Sequence, residues 1–150
     1  MRHASVGLVL VLLGLCGLPA GASASATPEE RMIVKINDVR ADQGGLPPLR
    51  ASRNLQRSAG AFAHWLVAHD QFQHRPGVSV SRSYRHCGEA LSMHFSLQAG
   101  VGATLRTWMG SPSHRALVLT RSMNLVGLGH ASGRSAGRPR TIWVLQVAHR

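Results

Sequence analysis

Nine histidines stand beside only six acidic residues in this 150-residue chain, so carboxylates are the scarcer partners for any acid–base or metal chemistry. Three residues carry most of that chemical interest: His74, Glu89 in Cys87-Gly88-Glu89, and His114 in Ser111-Pro112-Ser113-His114-Arg115. Ser111 reads as a helix N-cap and Pro112 as the first helical residue, which puts His114 in the first turn. The positive end of the helix dipole disfavours imidazolium there, and a neutral ring is what ligation or base chemistry requires. Glu89 could neutralise a buried cation or orient a histidine. His64 falls off the apolar stripe of its helix, His69 sits near the helix end where it can favour the last carbonyls, and His86, His94, His130 and His149 have no signalled partner; exposed or singly hydrogen-bonded rings are expected for all six. No His-x-x-x-His pair encloses a glutamate, so a zincin mechanism has no local support.

The elements that must position these groups are legible in part. Thr27-Pro28-Glu29-Glu30 forms a capping box, and Met32, Ile33, Ile36 and Val39 mark an apolar helical stripe that ends near Gly44-Gly45. Leu46-Pro47-Pro48-Leu49 is an extended connector. A second helix is expected from Ser52 to His69, with Leu55, Ala59, Phe62, Ala63 and Leu66 on one face. Gln71 to Arg85 reads as mostly irregular, and Gly88 to Gln98 as helical. Further helices are expected over Ala103 to Met109 and from Pro112. Asn124 to Gly129 and Thr141 to Ala148 read as strands around a Gly/Arg/Ser loop, Ala131 to Arg140. In the last strand Trp143, Leu145 and Val147 share one face and Ile142, Val144 and Gln146 the other. Trp108 and Trp143 are expected in the core and Trp65 at the surface. Helices followed by terminal antiparallel strands point to an α+β fold, and no glycine-rich phosphate loop follows a strand.

Composition sets the outer bounds. Residues 1–26 read as a cleaved secretory signal: Arg2 and His3 precede a short apolar run, and Ala22-Ser23-Ala24 and Ala24-Ser25-Ala26 both satisfy the small-x-small rule. The expected mature domain is 27–150, secreted or held at the cell envelope with no transmembrane segment. Cleavage removes Cys16, so Cys87 becomes the single thiol, expected as a small buried hydrophobe. The net charge of +11 comes mostly from dispersed arginines without interleaved aromatics. That pattern argues against nucleic acid and suits contact with an anionic envelope polymer or lipid headgroups, with Arg134, Arg138 and Arg140 as the densest cluster.

Several motifs occur together in one order: Asn37-x-x-Arg40, Gly45-Leu46-Pro47-Pro48-Leu49, Leu55-x3-Ala59-x3-Ala63-His64, Phe72-x-His74, Cys87-Gly88-Glu89, Trp108-Met109-x-Ser111-Pro112-x-His114-Arg115, Val126-Gly127-Leu128-Gly129, and the strand from Trp143 to Val147. Through them residues 31–148 resemble the CAP superfamily, the SCP-like extracellular domain, in its small secreted bacterial branch. The resemblance implies a three-layer α-β-α sandwich with a mainly antiparallel central sheet. It implies a cleft lined by His74, Glu89, His114 and Ser111, which binds a small or lipidic ligand or a divalent cation such as zinc. His74, His114 and Glu89 would be the metal ligands. An alternative is a metal-assisted hydrolase, such as a peptidase, with Glu89 as the catalytic candidate. Ala90 stands where the family usually has Asn, and Ser111 where eukaryotic members often have a second Glu, so the implied constellation is a reduced one.

Overall fold

The computed structural model describes residues 25–75, 84–98 and 100–150. Most of the expected leader, and part of the segment expected to be irregular, lie outside them. Helix α1 (Pro28–Asp42) starts at the capping box: Thr27 accepts from the Glu30 amide and Glu30 accepts from the Thr27 amide. A short strand β1 (Arg50–Ala51) precedes α2 (Arg53–Ala68), which Ser52 caps. Strand β2 (His86–His94), helices α3 (Val101–Gly110) and α4 (Pro112–Val118), and strands β3 (Leu125–Ser135) and β4 (Arg138–His149) complete the chain.

The sheet order is β1-β3-β4-β2, antiparallel except for the parallel β1–β3 pair. Helices cover both faces. On one face Met32 and Ile36 of α1, Leu105 and Trp108 of α3 and Val118 of α4 pack on Val126, Leu128, Trp143, Leu145 and Val147. On the other, Ala59, Phe62, Ala63 and Leu66 of α2 pack on Leu91, Ala131, Ile142 and Val144. The alternation read in the last strand therefore divides two cores, and the architecture is the expected three-layer α-β-α sandwich.

Two expectations are corrected. Gly88 to Gln98 is not helical, because its first part is strand β2, paired along its whole length with β4. Ala90 and Leu91 serve opposite cores, which a strand achieves with adjacent residues. The expected loop from Ala131 to Arg140 is instead mostly strand, since β3 and β4 run on to a two-residue turn at Ala136 and Gly137, both with positive φ. Its arginines are thereby dispersed: Arg140 pairs with Asp70 at 2.7 Å, Arg134 donates to the Gly137 carbonyl, and Arg138 lies over the Phe95 ring.

Arg40 gives the connector its physical meaning. It is wholly buried and donates to the carbonyls of Pro47, Val118 and Thr120, while Asn37 exchanges two hydrogen bonds with the Leu49 backbone. A guanidinium can satisfy several carbonyls from one point, so Arg40 fastens α1 to the connector and to the end of α4. Burial lowers its pKa, with the charge of Arg121 adding to the effect.

Candidate functional site

The site forms at the edge of the sheet, where β2 has no strand beyond it among the described residues. Asp70, two residues past the end of α2, sits in the left-handed region (φ 55) and is held by Ser135 and Arg140 of the β3–β4 hairpin. From this anchored turn the chain runs through residues 71–73 to His74. Those same bonds, Ser135 first, hold the Asp70 carboxyl below its ordinary range against a smaller opposing effect of desolvation.

Glu89 rises from β2 on the α2 side, with its side chain only 3% exposed against 57% for His74. His74 Nδ1 and Glu89 Oε1 are 3.1 Å apart, and Glu89 Oε2 accepts from Gln146 Nε2 at 3.1 Å. Each carboxylate oxygen thus has a donor, and the group is a pinned acceptor that sets the orientation of an exposed imidazole. If the ring donates through Nδ1, Nε2 is left for a ligand or a proton. Gln146 is legible in the sequence as an amide on an apolar strand face, yet nothing along the chain gives it a part in the site. Its signal is a polar side chain at a core position, wholly buried here.

His114 reaches the same edge from the other layer. A Cβ on Gly88 would lie 2.2 Å from a methyl carbon of Leu117, so the glycine lets α4 close onto β2 beside Glu89, one turn along from His114. His114 Nδ1 is buried without a hydrogen-bond partner. Its pKa is lowered, chiefly by burial and then by the like charge of His74. The neutral ring expected from helix position is thus favoured, by desolvation and by a neighbouring histidine. Ser111 precedes α4 without capping it through its side chain and instead meets the Ser113 hydroxyl at 3.3 Å.

A cavity of about 410 Å³ opens beside His74, with Ala61, Phe62 and Trp65 of α2 on its apolar side and Gln73 and Arg75 at its polar rim. Trp65 is 41% exposed, whereas Trp108 and Trp143 are buried as expected. The rings of Phe62, Trp65 and His69 stack along α2, and the Arg75 guanidinium sits 4.2 Å from the Phe62 ring centroid. Cys87 is half-buried, and desolvation raises its pKa, the opposite of what an activated thiol needs.

The zinc expectation can be tested on donor geometry. Three protein ligands are the usual minimum for a catalytic zinc, but no group of three or more His, Cys, Asp or Glu side chains is placed to hold a metal ion among the described residues. Glu89 and His74 supply two candidate donors in contact, one short of a three-ligand centre.

Fold and site together define an α-β-α sandwich with an imidazole–carboxylate pair on the β2 side of its sheet. The cysteine-rich secretory protein (CAP) family model matches residues 34–147, and the chain belongs to that family. It is 24% identical over 134 residues to the uncharacterised protein YkwD of Bacillus subtilis (strain 168), covering 83% of this chain and 49% of the relative, so it spans about half the relative's length. The fold resembles an outer surface protein of Borrelia burgdorferi, with a TM-score of 0.63, 16% identity and coverage of 80% of this chain and 90% of that one. It also resembles an SCP-domain extracellular protein of Bacillus anthracis, with a TM-score of 0.61, 17% identity and coverage of 85% and 45%. NaASP2, solved with Zn2+, superposes with a TM-score of 0.61 at 13% identity, covering 87% of this chain and 83% of that one.

Proposed function

We propose that this is an exported CAP-domain protein that binds a small amphiphilic ligand in the groove beside His74, at the cell envelope or outside the cell. The observation that carries the reading is the groove's division of labour. Its apolar wall of Ala61, Phe62 and Trp65 would receive a hydrocarbon body, while His74 and Arg75 stand where a polar or anionic headgroup would lie. Export accords with the leader-like start of the sequence and with the extracellular and outer-surface proteins that share the fold. No described helix is long and apolar enough to cross a membrane.

Trp65 supplies the test, being the one exposed indole of three. A brominated medium-chain fatty acid should quench its fluorescence saturably, and His74→Gln and Arg75→Gln should each raise the half-saturation concentration. Non-saturable quenching, or wild-type affinity in both variants, rejects the reading. The cation alternative is separated by zinc calorimetry on the wild type, His74→Ala and His114→Ala. Uptake by the wild type that both variants lose would favour a cation site over the ligand groove.

A further inference from the structure

The β3–β4 hairpin runs past the end of β2. The last β2 pair is His94 with Thr141, whereas β3 and β4 stay paired out to Ser135 and Arg138. The chain leaving β2 turns across this end of the sheet, tied there by the Thr141 hydroxyl, which donates to the Ser96 carbonyl at 2.6 Å. On either side of that tie the loop presents a large apolar side chain to solvent: Phe95 is 60% exposed and Leu97 47%. We infer that this end of the domain, loop 95–97 with the hairpin tip, docks onto the surface of an anionic lipid bilayer.

Of the five large apolar side chains exposed among the described residues, two thus stand within three positions of the chain. Single exposed apolar residues are ordinary; a pair on one short loop, flanked by cations, has the make-up of an interfacial anchor. The cations are Arg134 and Arg138, both exposed and neither in an ion pair among the described residues. Asp70, the carboxylate fastened to this hairpin, is matched by Arg140 at 2.7 Å and so does not cancel them. The Arg138 guanidinium lies 4.8 Å from the Phe95 ring centroid. An exposed contact of that kind is weak, so the ring can enter the acyl boundary while the guanidinium stays among the phosphates on its flexible stem. The apolar pair also selects the occupant. An anionic polymer would satisfy the arginines but offers Phe95 and Leu97 no hydrocarbon, whereas a bilayer meets both needs. This surface is independent of the groove beside His74, which is lined by other residues.

The test is co-sedimentation of the mature domain with vesicles of mixed phosphatidylglycerol and phosphatidylcholine, set against vesicles of phosphatidylcholine alone. Partition onto the anionic vesicles, weakening as salt is raised, is expected, with little onto the neutral ones. Arg134→Gln and Arg138→Gln should each lower it about fivefold, and Phe95→Ser combined with Leu97→Ser about tenfold or more. All four side chains are exposed, so these changes leave both cores intact. His74→Gln should partition as the wild type does. Phe95→Trp gives a readout that does not depend on loss: vesicles should shift its added emission to the blue, relative to the wild type. The inference is overturned by equal partition onto neutral vesicles, by wild-type partition in both arginine variants, or by no blue shift in Phe95→Trp. It is also overturned by partition that survives the double serine change but is lost with the arginines, which would mark a surface for anionic polymers.

Discussion

Gln146 and Glu89 are register partners across β4 and β2, and the Gln146 amide holds Glu89 Oε2 at 3.1 Å while His74 meets Oε1. Position therefore passes from the sheet to the buried amide, to the buried carboxylate, and only then to the exposed imidazole. Gln146→Leu would keep the core filled but remove one of the two donors to a carboxylate that is nearly out of solvent. It should destabilise the domain by about 1–3 kcal/mol in urea denaturation, the range for leaving a buried polar group short of a partner. The His74 ring should also lose its fixed orientation, seen as averaged ring resonances. Unchanged stability with an unchanged His74 spectrum would show that Gln146 does not position the site.

The glycines of Val126-Gly127-Leu128-Gly129 set the distance between β3 and α2. A Cβ on Gly127 would lie 2.2 Å from the Leu55 carbonyl carbon, and one on Gly129 would lie 2.3 Å from the Gly60 backbone. Backbone cannot swing aside as a long side chain can. Gly129→Ala should therefore cost about 1–3 kcal/mol or more in thermal or chemical denaturation. Gly110→Ala, where a Cβ meets nothing within 4 Å, is the matched control and should leave stability nearly unchanged. Equal effects at the two positions would mean that the helix is free to ride over the sheet.

Two histidines make folding pH-dependent in a stated direction. His94 Nε2 is within hydrogen-bond distance of Ser92 Oγ (2.9 Å) and Thr104 Oγ1 (3.0 Å), and burial lowers its pKa; His114 is lowered by burial and by His74. Below the unfolded-state value of about 6.5 the unfolded chain binds protons that the folded chain resists. Their contribution is thus intact above about pH 6.5 and is lost as pH falls through the lowered folded values. Urea midpoints measured from pH 7.5 downward should decline below about 6.5, and His94→Gln should flatten part of that decline. A midpoint that rises on acidification would contradict the assignment.

The legible part of this fold was the part governed by periodicity and local caps. The apolar stripe of α2, the capping box at Thr27 and the two faces of the last strand each use a signal contained within a few residues. The misread stretches depended on distant partners. Gly88 to His94 has no clear alternation because both of its faces are buried over part of its length, beneath different helices. The long hairpin was hidden by Gly133, Ser135 and Gly137, residues of weak strand preference that are held in place by pairing with β4. At the site, His74, Glu89 and His114 were visible as chemistry-bearing types in a familiar order. The roles of Gln146 and of Gly88 were not, since both act across strands or layers rather than along the chain.

The turn that closes the hairpin offers a gain in stability. Ala136 (φ 47) and Gly137 (φ 76) both occupy the left-handed region, as a two-residue turn of this kind requires, but only glycine does so freely. An alanine there carries a steric cost of roughly 1–2 kcal/mol, which asparagine reduces because its side chain bonds locally to the backbone. Ala136→Asn should therefore stabilise the domain by about 0.5–1 kcal/mol and raise the melting temperature, with no effect on ligand affinity at His74. Gly137→Ala should lower stability by a similar amount. Opposite signs for these two changes, measured by calorimetric melting in the same buffer, would establish that the hairpin turn is strained at its first residue. A loss from Ala136→Asn would show that the turn relaxes in solution to another geometry.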